Sequence, residues 1–576
     1  MRDGSGVCAS WRSIRTKLNG NLSDTLHSGV TSQFCLSGIP AEVPMDPLER
    51  QRHMLEILSE PARFPHPADS VERIETHIST VLLAGEHAYK IKKPLNLGFL
   101  DFTDLRARRR YCLAELEINR VLAPGIYLDL AEIRGTPDSP AIGGEGPTLE
   151  YAVHMRRFDR DRQLDRLLDA GRLPVSAMDE LARKVARFHE SADRAEAFAE
   201  YGAPEQVLAP MLANFAALRP SATDRPERAE RLRGLEAWTR ETAARHEVLL
   251  RARRQQGFIR ACHGDMHLGN MVYAQDDTGR ERLAIFDAIE FSPSLRWIDV
   301  VSELAFLTMD LHARDAPAHA HQALNVYLEH RDDFGGLALL PFYQVYRALV
   351  RAKVHAIHAR EDDLPEDERR HYDREVERYL ALADHLRSPG RPALILMHGV
   401  SGSGKTRVST EILQRLGAIR LRSDIERRRM IGVSEDVRPS AEQQAALYTP
   451  EGIRRVYEHL RRQADLLLGQ GQTVIVDATF LTRAQRAPFE ELARARGIPS
   501  AVVACQADAE TLRRRLAARQ RAARDASDAG IAVMERQLVE VEPPDSPEPT
   551  VVSSPEQELD WSGLKRLLGR NGAAAG

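Results

Sequence analysis

The string Gly399-Val-Ser-Gly-Ser-Gly404-Lys405-Thr406 limits what this chain can fold into more than any other. It fits the pattern GxxxxGK[ST] in full, follows the apolar run ALILMH (393–398) and precedes the helically spaced RVSTEILQRL (407–416). Glycines at these places let backbone N–H groups curl around phosphate oxygens, and the helix N-terminus adds a favourable dipole. Gly399, Val400, Ser401, Gly402, Ser403 and Gly404 are therefore expected to line a phosphate cradle. Lys405 reaches the β and γ phosphates, and the Thr406 hydroxyl ligates Mg²⁺. Patterns around it alternate: strand at 393–397, helix at 404–416, strand at 473–476, helix at 483–496, strand at 500–504. That alternation predicts an α/β unit with a parallel sheet.

Thr473–Asp477 (TVIVD) is a β-branched run ending in an acid. It places Asp477 at the carboxyl end of a strand, where ligands of parallel sheets bind, as a second metal candidate. No further acid follows, since Ala478 and Thr479 come next, which argues for a kinase rather than a motor ATPase. Asp424, after the short strand 419–421, is the candidate to orient an acceptor hydroxyl. Its bland alternative is a helix cap for IERRRMIG. The arginines of 513–524 have helical spacing and are read as a lid over the triphosphate, with Arg513 and Arg519 as candidates, or as a solvated basic face. Residues 393–542 resemble the P-loop kinases related to gluconate kinase, polynucleotide kinase and zeta-toxin-type enzymes.

Composition sets the remaining bounds. The chain has 576 residues, enough for two or three domains. Its 80 basic and 84 acidic residues nearly cancel, so no global field favours nucleic acid. Nucleic acid is not the expected partner, and the oligomeric state stays open. Only eight residues are lysine, and four of them (Lys90, Lys92, Lys93, Lys405) fall in the two phosphate sites proposed here. Five scattered cysteines form no CxxC pair, which fits free thiols rather than a disulfide framework. No apolar run nears the roughly 18–20 residues of a membrane span, and no signal-peptide pattern opens the chain, so a cytoplasmic protein without a membrane partner is expected.

In the first half, His263-Gly-Asp265-Met-His267-Leu-Gly-Asn270 is followed by Asp287 at the end of LAIFD. Phosphoryl transfer needs one carboxylate to hold the acceptor hydroxyl, and a second carboxylate with an amide to hold metal ions. An Asp, an Asn five positions on and a later strand-end Asp supply that set. The string HGDxHxxN resembles the aminoglycoside phosphotransferase and choline kinase superfamily, within the protein-kinase-like fold, over roughly residues 66–385. The resemblance makes Asp265 the base, Asn270 and Asp287 the metal ligands, and His263 and His267 loop-shaping residues. A metal hydrolase is the weaker alternative, because no HxxxH or HExxH spacing supports it. The resemblance also requires a strand lysine. The strand pattern in 87–92 makes Lys90 the first choice and Lys92, on the same face, the second. Glu115 is preferred to Glu117 as its partner on the helix that follows. The glycine-rich nucleotide loop of protein kinases is absent, and Tyr151–Val153 is the candidate hinge strand.

Together the halves resemble the bacterial bifunctional aminoglycoside phosphotransferase/ATP-binding proteins. The expected architecture is a multidomain α/β and α+β chain. A protein-kinase-like bilobal domain (45–387) is joined by a linker (388–392) to a P-loop NTPase parallel-sheet α/β domain (393–545), flanked by tails at 1–44 and 546–576. Each half is expected to use ATP and Mg²⁺ to phosphorylate a small-molecule hydroxyl. The alternatives are an ATP-binding sensor with one silent module, and a nucleic-acid kinase. The arginine clusters 160–166 and 251–254 are read as solvated faces, and the pairs His319/His321 and His355/His358 as surface histidines.

Overall fold

The computed structural model describes residues 46–570 except 99, 197–199, 277, 362–363, 389, 434–448, 523–529, 546–547 and 556, and except the side chains of 519–522. The expected tail at 1–44 lies outside the described residues.

Alternating apolar positions in the first half build an antiparallel sheet in the order β1-β2-β3-β6-β4-β5. The strands are β1 Val71–Glu75, β2 Ser79–Ala84, β3 His87–Lys92, β4 Tyr127–Thr136, β5 Ser139–Ile142 and β6 Thr148–Arg156. The predicted hairpin is the β2–β3 pair, with Val81 opposite Lys90 and Ser79 opposite Lys92. The candidate hinge residues Tyr151–Val153 lie in β6, beside β3. Met54, Leu55 and Leu58 of the helix Pro47–Leu58 form a core with Leu82, Ile91 and Ala152. The helix Leu105–Asn119 packs on β4 and β6 and turns Glu115 and Asn119 inward, both fully buried.

Helices dominate from 164 to 386, interrupted by two small antiparallel pairs. One joins β7 (Ile259–Ala261) to β10 (Trp297–Asp299). The other joins β8 (Met271–Gln275) to β9 (Glu281–Ile285). Between β7 and β8 runs the Asp265 loop, and Asp287 follows β9. The cluster 251–254 is not wholly solvated. Arg253 is 2% exposed and forks onto Asp299 at 2.7 and 2.8 Å and Asp333 at 2.6 and 2.7 Å. Two carboxylates compensate the buried guanidinium, which would be costly alone. Asp299 in turn caps the helix Val300–Ala313 by accepting the Val301 N–H at 2.9 Å.

The second half is a parallel sheet in the order β12-β13-β11-β14-β15. Its strands are β11 Leu394–His398, β12 Ile419–Arg422, β13 Val474–Asp477, β14 Ser500–Cys505 and β15 Thr550–Ser553. Strands of Val, Ile, Leu and Met suit a sheet covered on both faces. Val408, Ile412 and Leu413 pack with Ile395 and Ile475; Val456, Leu460 and Phe489 belong to the cluster with Leu396 and Val476. The described residues of the expected tail 546–576 are not simply a tail. Thr550–Ser553 forms the fifth strand, and Leu559, Leu564 and Leu568 join the core on that side. The prolines of 543–555 precede and follow this strand without interrupting it, as an edge strand allows. The overall architecture is an antiparallel-sheet lobe and a helical lobe followed by a parallel-sheet α/β unit that carries the loop 399–404.

Candidate functional sites

In the first half, separate elements deliver side chains to one ion-paired cluster. Lys90 of β3 donates through Nζ to Glu115 Oε1 at 2.8 Å and also pairs with Asp287. Lys92, on the same strand face, donates to Glu115 Oε2 at 2.7 Å and pairs with Glu290. Both lysines thus meet the predicted glutamate, one per carboxylate oxygen. Burial alone would raise Glu115, but Lys90 and Lys92 outweigh it and bring it down to about 2. Glu290 goes the other way, raised by burial beyond what Lys92 restores.

Asn270 donates through Nδ2 to the Asp265 carboxylate at 3.1 Å and to the Asp265 carbonyl at 3.0 Å. His267 Nε2 stands 3.5 Å from the same carboxylate. Burial opposes the charge on Asp265, yet His267 holds it well below the usual carboxylate range. His267 is raised in return, the Asp265 charge overcoming burial. His263 is the hinge pin of the loop. Its Nδ1 accepts the Asp265 N–H at 3.3 Å, and Nε2 bonds the Phe286 carbonyl at 2.9 Å, which ties the Asp265 loop to the residue before Asp287. Burial keeps this imidazole below its ordinary value, hence neutral, as one donor and one acceptor require. Asp287 has φ 64, a left-handed backbone uncommon for any residue but glycine. Its N–H donates to the Tyr127 hydroxyl at 3.1 Å and the next N–H to Asn119 Oδ1 at 2.8 Å, so side chains over-determine the strained turn.

Beneath the loop, Glu303 accepts the Gly264 N–H at 2.6 Å and bonds His189 at 2.8 Å, while Asp310 accepts the Leu268 N–H at 3.0 Å. Gly264 has φ 88, and a Cβ there would lie 2.9 Å from the Leu295 carbonyl oxygen. The sequence reading missed Glu303, Asp310, Tyr127, Asn119 and Glu290. A signal existed for two of them, because acids seven residues apart in the apolar helix VVSELAFLTMDL are conspicuous.

In the second half, the loop 399–404 joins β11 to the helix Lys405–Leu416. Gly399 has φ 139, and a Cβ would sit 2.4 Å from the Cys505 carbonyl oxygen. Lys405 Nζ donates to the Gly399 and Val400 carbonyls at 2.8 and 3.0 Å. Gln537, from the helix Ile531–Glu540, accepts the Ser401 N–H at 2.8 Å and was not foreseen. Thr406 is exposed. Asp477 ends β13 and accepts from Ser409 Oγ at 2.9 Å, one turn along the same helix.

Asp424 lies in the first turn of the helix Ser423–Met430, whose N-cap residue is Arg422. It accepts from Arg422 Nη2 at 2.9 Å and from the Ile425 N–H at 3.0 Å, so it is not the cap itself. Burial is outweighed by Arg422, and Asp424 stays below its ordinary value. The arginine lid needs correcting. Arg513 is half exposed and pairs with Glu535 at 3.0 Å. Arg515 instead reaches the Gly402 and Ser403 carbonyls at 3.3 Å each. Two helical residues two apart point about 200° apart, so both cannot face the loop. The Arg519 side chain lies outside the described residues.

The second half matches the family model described as AAA domain over residues 394–544. The uncharacterized protein Rv2004c of Mycobacterium tuberculosis is 32% identical over 448 residues, covering 77% of this chain and 85% of its own. The uncharacterized protein Mb2027c of Mycobacterium bovis matches equally. The chain belongs to the family of these mycobacterial proteins. A 448-residue match is longer than either half, so the family carries parts of both halves on one polypeptide. Solved structures similar to this family member include a choline/ethanolamine kinase family protein from Mesorhizobium loti. It is 14% identical, covers 58% of this chain and 97% of its own, with TM-score 0.33. A gluconokinase from Sinorhizobium meliloti 1021 is 21% identical, covers 31% of this chain and 95% of its own, with TM-score 0.23. Among the described residues, no helix is long and apolar enough to cross a membrane.

Proposed function

We propose that the chain is an ATP-dependent phosphotransferase with two nucleotide modules, each moving the γ-phosphoryl of ATP to a hydroxyl of a small molecule. The observation that carries the reading is the meeting of Lys90, Glu115 and Asp287 in one ion-paired cluster, from three elements spread over 198 residues of sequence, beside the Asp265–Asn270 pair. A lysine held between two carboxylates is pre-positioned for phosphate oxygens and needs little reorganisation.

In the first module, Asp265 accepts or orients the acceptor's hydroxyl proton, and His263 holds the loop that carries it. Lys90, kept in place by Glu115, contacts the α and β phosphates. Mg²⁺ suits the donors here, because the Asn270 amide oxygen and the Asp287 carboxylate are hard oxygen ligands. In the second module, the amides of 399–404 and Lys405 take the triphosphate, Arg515 closes on it, and Asp424 orients the acceptor. Thr406 and Asp477 offer the oxygen ligands for Mg²⁺ there. When bound, the cation would neutralise phosphate charge in either site.

A metabolite screen for phosphate transfer, run with wild type, Asp265→Ala and Lys405→Ala, tests the proposal. Loss of different products in the two variants is expected. ATP binding without acceptor-stimulated ADP release would instead favour a sensor.

A further inference from the structure

We propose a binding site for a zinc-class divalent cation at His77 and His358, which joins the β-sheet lobe to the helical lobe. It is independent of the phosphotransferase reading. The residues are 281 apart in sequence, yet their Nε2 atoms lie 2.8 Å apart. With Glu361, they form one of two groups among the described residues whose ligand atoms lie close enough to share a metal. The other group, His189, Cys262 and Glu303, is buried and already committed. Glu303 holds the Gly264 N–H and His189, and His189 also bonds the Tyr327 hydroxyl at 2.8 Å.

Both rings at the proposed site are held before any ion arrives. His77 sits at the tip of the β1–β2 turn, which Thr76 closes through Ser79 bonds of 2.8–3.0 Å. His358 ends the helix Leu340–His358 and stacks on Tyr372, with ring centroids 5.0 Å apart and planes 11° apart. Its Nδ1 lies 3.1 Å from Glu361 Oε1. A proton on Nδ1 donated to that carboxylate leaves the Nε2 lone pair facing His77, the arrangement by which carboxylates orient metal-binding histidines. The neighbouring cation Lys93 is neutralised by Glu75 at 2.7 Å and bonds the Thr76 carbonyl.

Metal–nitrogen bonds of about 2.0–2.1 Å in tetrahedral geometry would separate the two nitrogens by roughly 3.4 Å. The rings therefore need to open by only about half an ångström. Two imidazole nitrogens, one of them oriented by the Glu361 carboxylate, select Zn²⁺, Ni²⁺, Co²⁺ or Cu²⁺ over Mg²⁺. The site bridges the turn leading into β2, partner of the lysine strand, and the helix whose Arg351 lowers Asp265. An ion there would tie the β1–β2 turn to the helix Leu340–His358 and so hold the two lobes together.

The test uses the full chain with Zn²⁺ by calorimetry and Cu²⁺ by electron paramagnetic resonance. One equivalent with micromolar affinity and a two-imidazole hyperfine pattern is expected. His77→Ala and His358→Ala should each abolish it, and Glu361→Gln should weaken it about tenfold. Circular dichroism melts establish that the variants are folded. Binding that survives both histidine substitutions overturns the proposal. So does a pH-dependent melt with no metal uptake, which would show that the pair shares only a proton.

Discussion

Glu329, on the helix Pro317–Arg331 of the first half, accepts the Arg420 guanidinium of β12 at 2.7 Å, with both side chains under a tenth exposed. The same guanidinium donates to Thr410 Oγ1 at 2.7 Å and Ser409 Oγ at 3.2 Å, and Ser409 holds Asp477 at 2.9 Å. The Arg420 N–H donates to Asn325 Oδ1 at 2.8 Å. Packing of the phosphate-loop helix thus depends on a residue from the other half. Glu329→Ala should destabilise the second half by about 3–5 kcal/mol, because it strands a buried charge. Replacing both residues by apolar ones should cost clearly less. Urea unfolding followed in a double-mutant cycle checks this, and an unchanged midpoint for Glu329→Ala would refute it.

Glu303 is a positioning residue, since it acts through the Gly264 N–H rather than on substrate. Glu303→Gln should lower kcat of the first module by about 100-fold, the scale of a small misplacement. KM for ATP should change little, and nucleotide binding at the Lys405 loop should persist. A pure rise in KM would contradict the assignment.

Gly399→Ala should abolish nucleotide binding at the second module. Its new Cβ would fall 2.4 Å from the Cys505 carbonyl oxygen, and φ 139 suits only glycine. Fluorescent-nucleotide titration in a Lys90→Ala background, which removes the phosphate contact proposed for the first module, reads this site.

The lid arginines separate cleanly. Arg515→Ala should weaken nucleotide binding at the second module several-fold, whereas Arg513→Ala should leave it unchanged, because Arg513 faces Glu535. Equal effects would mean that the helix Ala509–Ala522 rotates on binding.

Stability should fall as pH drops from about 6.5 towards 4. Burial and the neighbouring His321 hold His312 down at about 4, and burial and Arg351 do the same for His355. The unfolded chain takes up protons in this window while the fold does not, so the stability present above the unfolded value is lost on acidification. The expected loss is of the order of 2–3 kcal/mol for His312 and smaller for His355, which solvent screens more. A His312→Gln, His355→Gln chain should show a visibly flatter melting temperature against pH between these values.

Much of this was legible in local pattern. The loop 399–406 carries its own backbone requirements, so glycine spacing between a strand and a helix was enough to place it. Lys90, Lys92 and Glu115 followed from strand alternation and helix spacing once a lysine–acid pair was sought. Arg253 and Arg513 were misread, and Arg515 passed over, because composition cannot say which way a helix face turns. The strand Thr550–Ser553 was missed because its four residues are fixed by long-range contacts, the pairing with Ser500–Cys505 and the entry of Val551 into the core.

The sequence by itself determined the short-range chemistry: a phosphate-shaped loop, an Asp–Asn loop with a later Asp, and the strands and helices that bear them, since these depend on residues within a turn or two of one another. Tertiary structure alone decided that Glu303 braces Gly264, that Glu329 reaches Arg420 and that His77 meets His358. Such contacts join segments tens to hundreds of residues apart, and what selects them is the packing of whole faces, with each buried charge requiring a partner that no local spacing encodes.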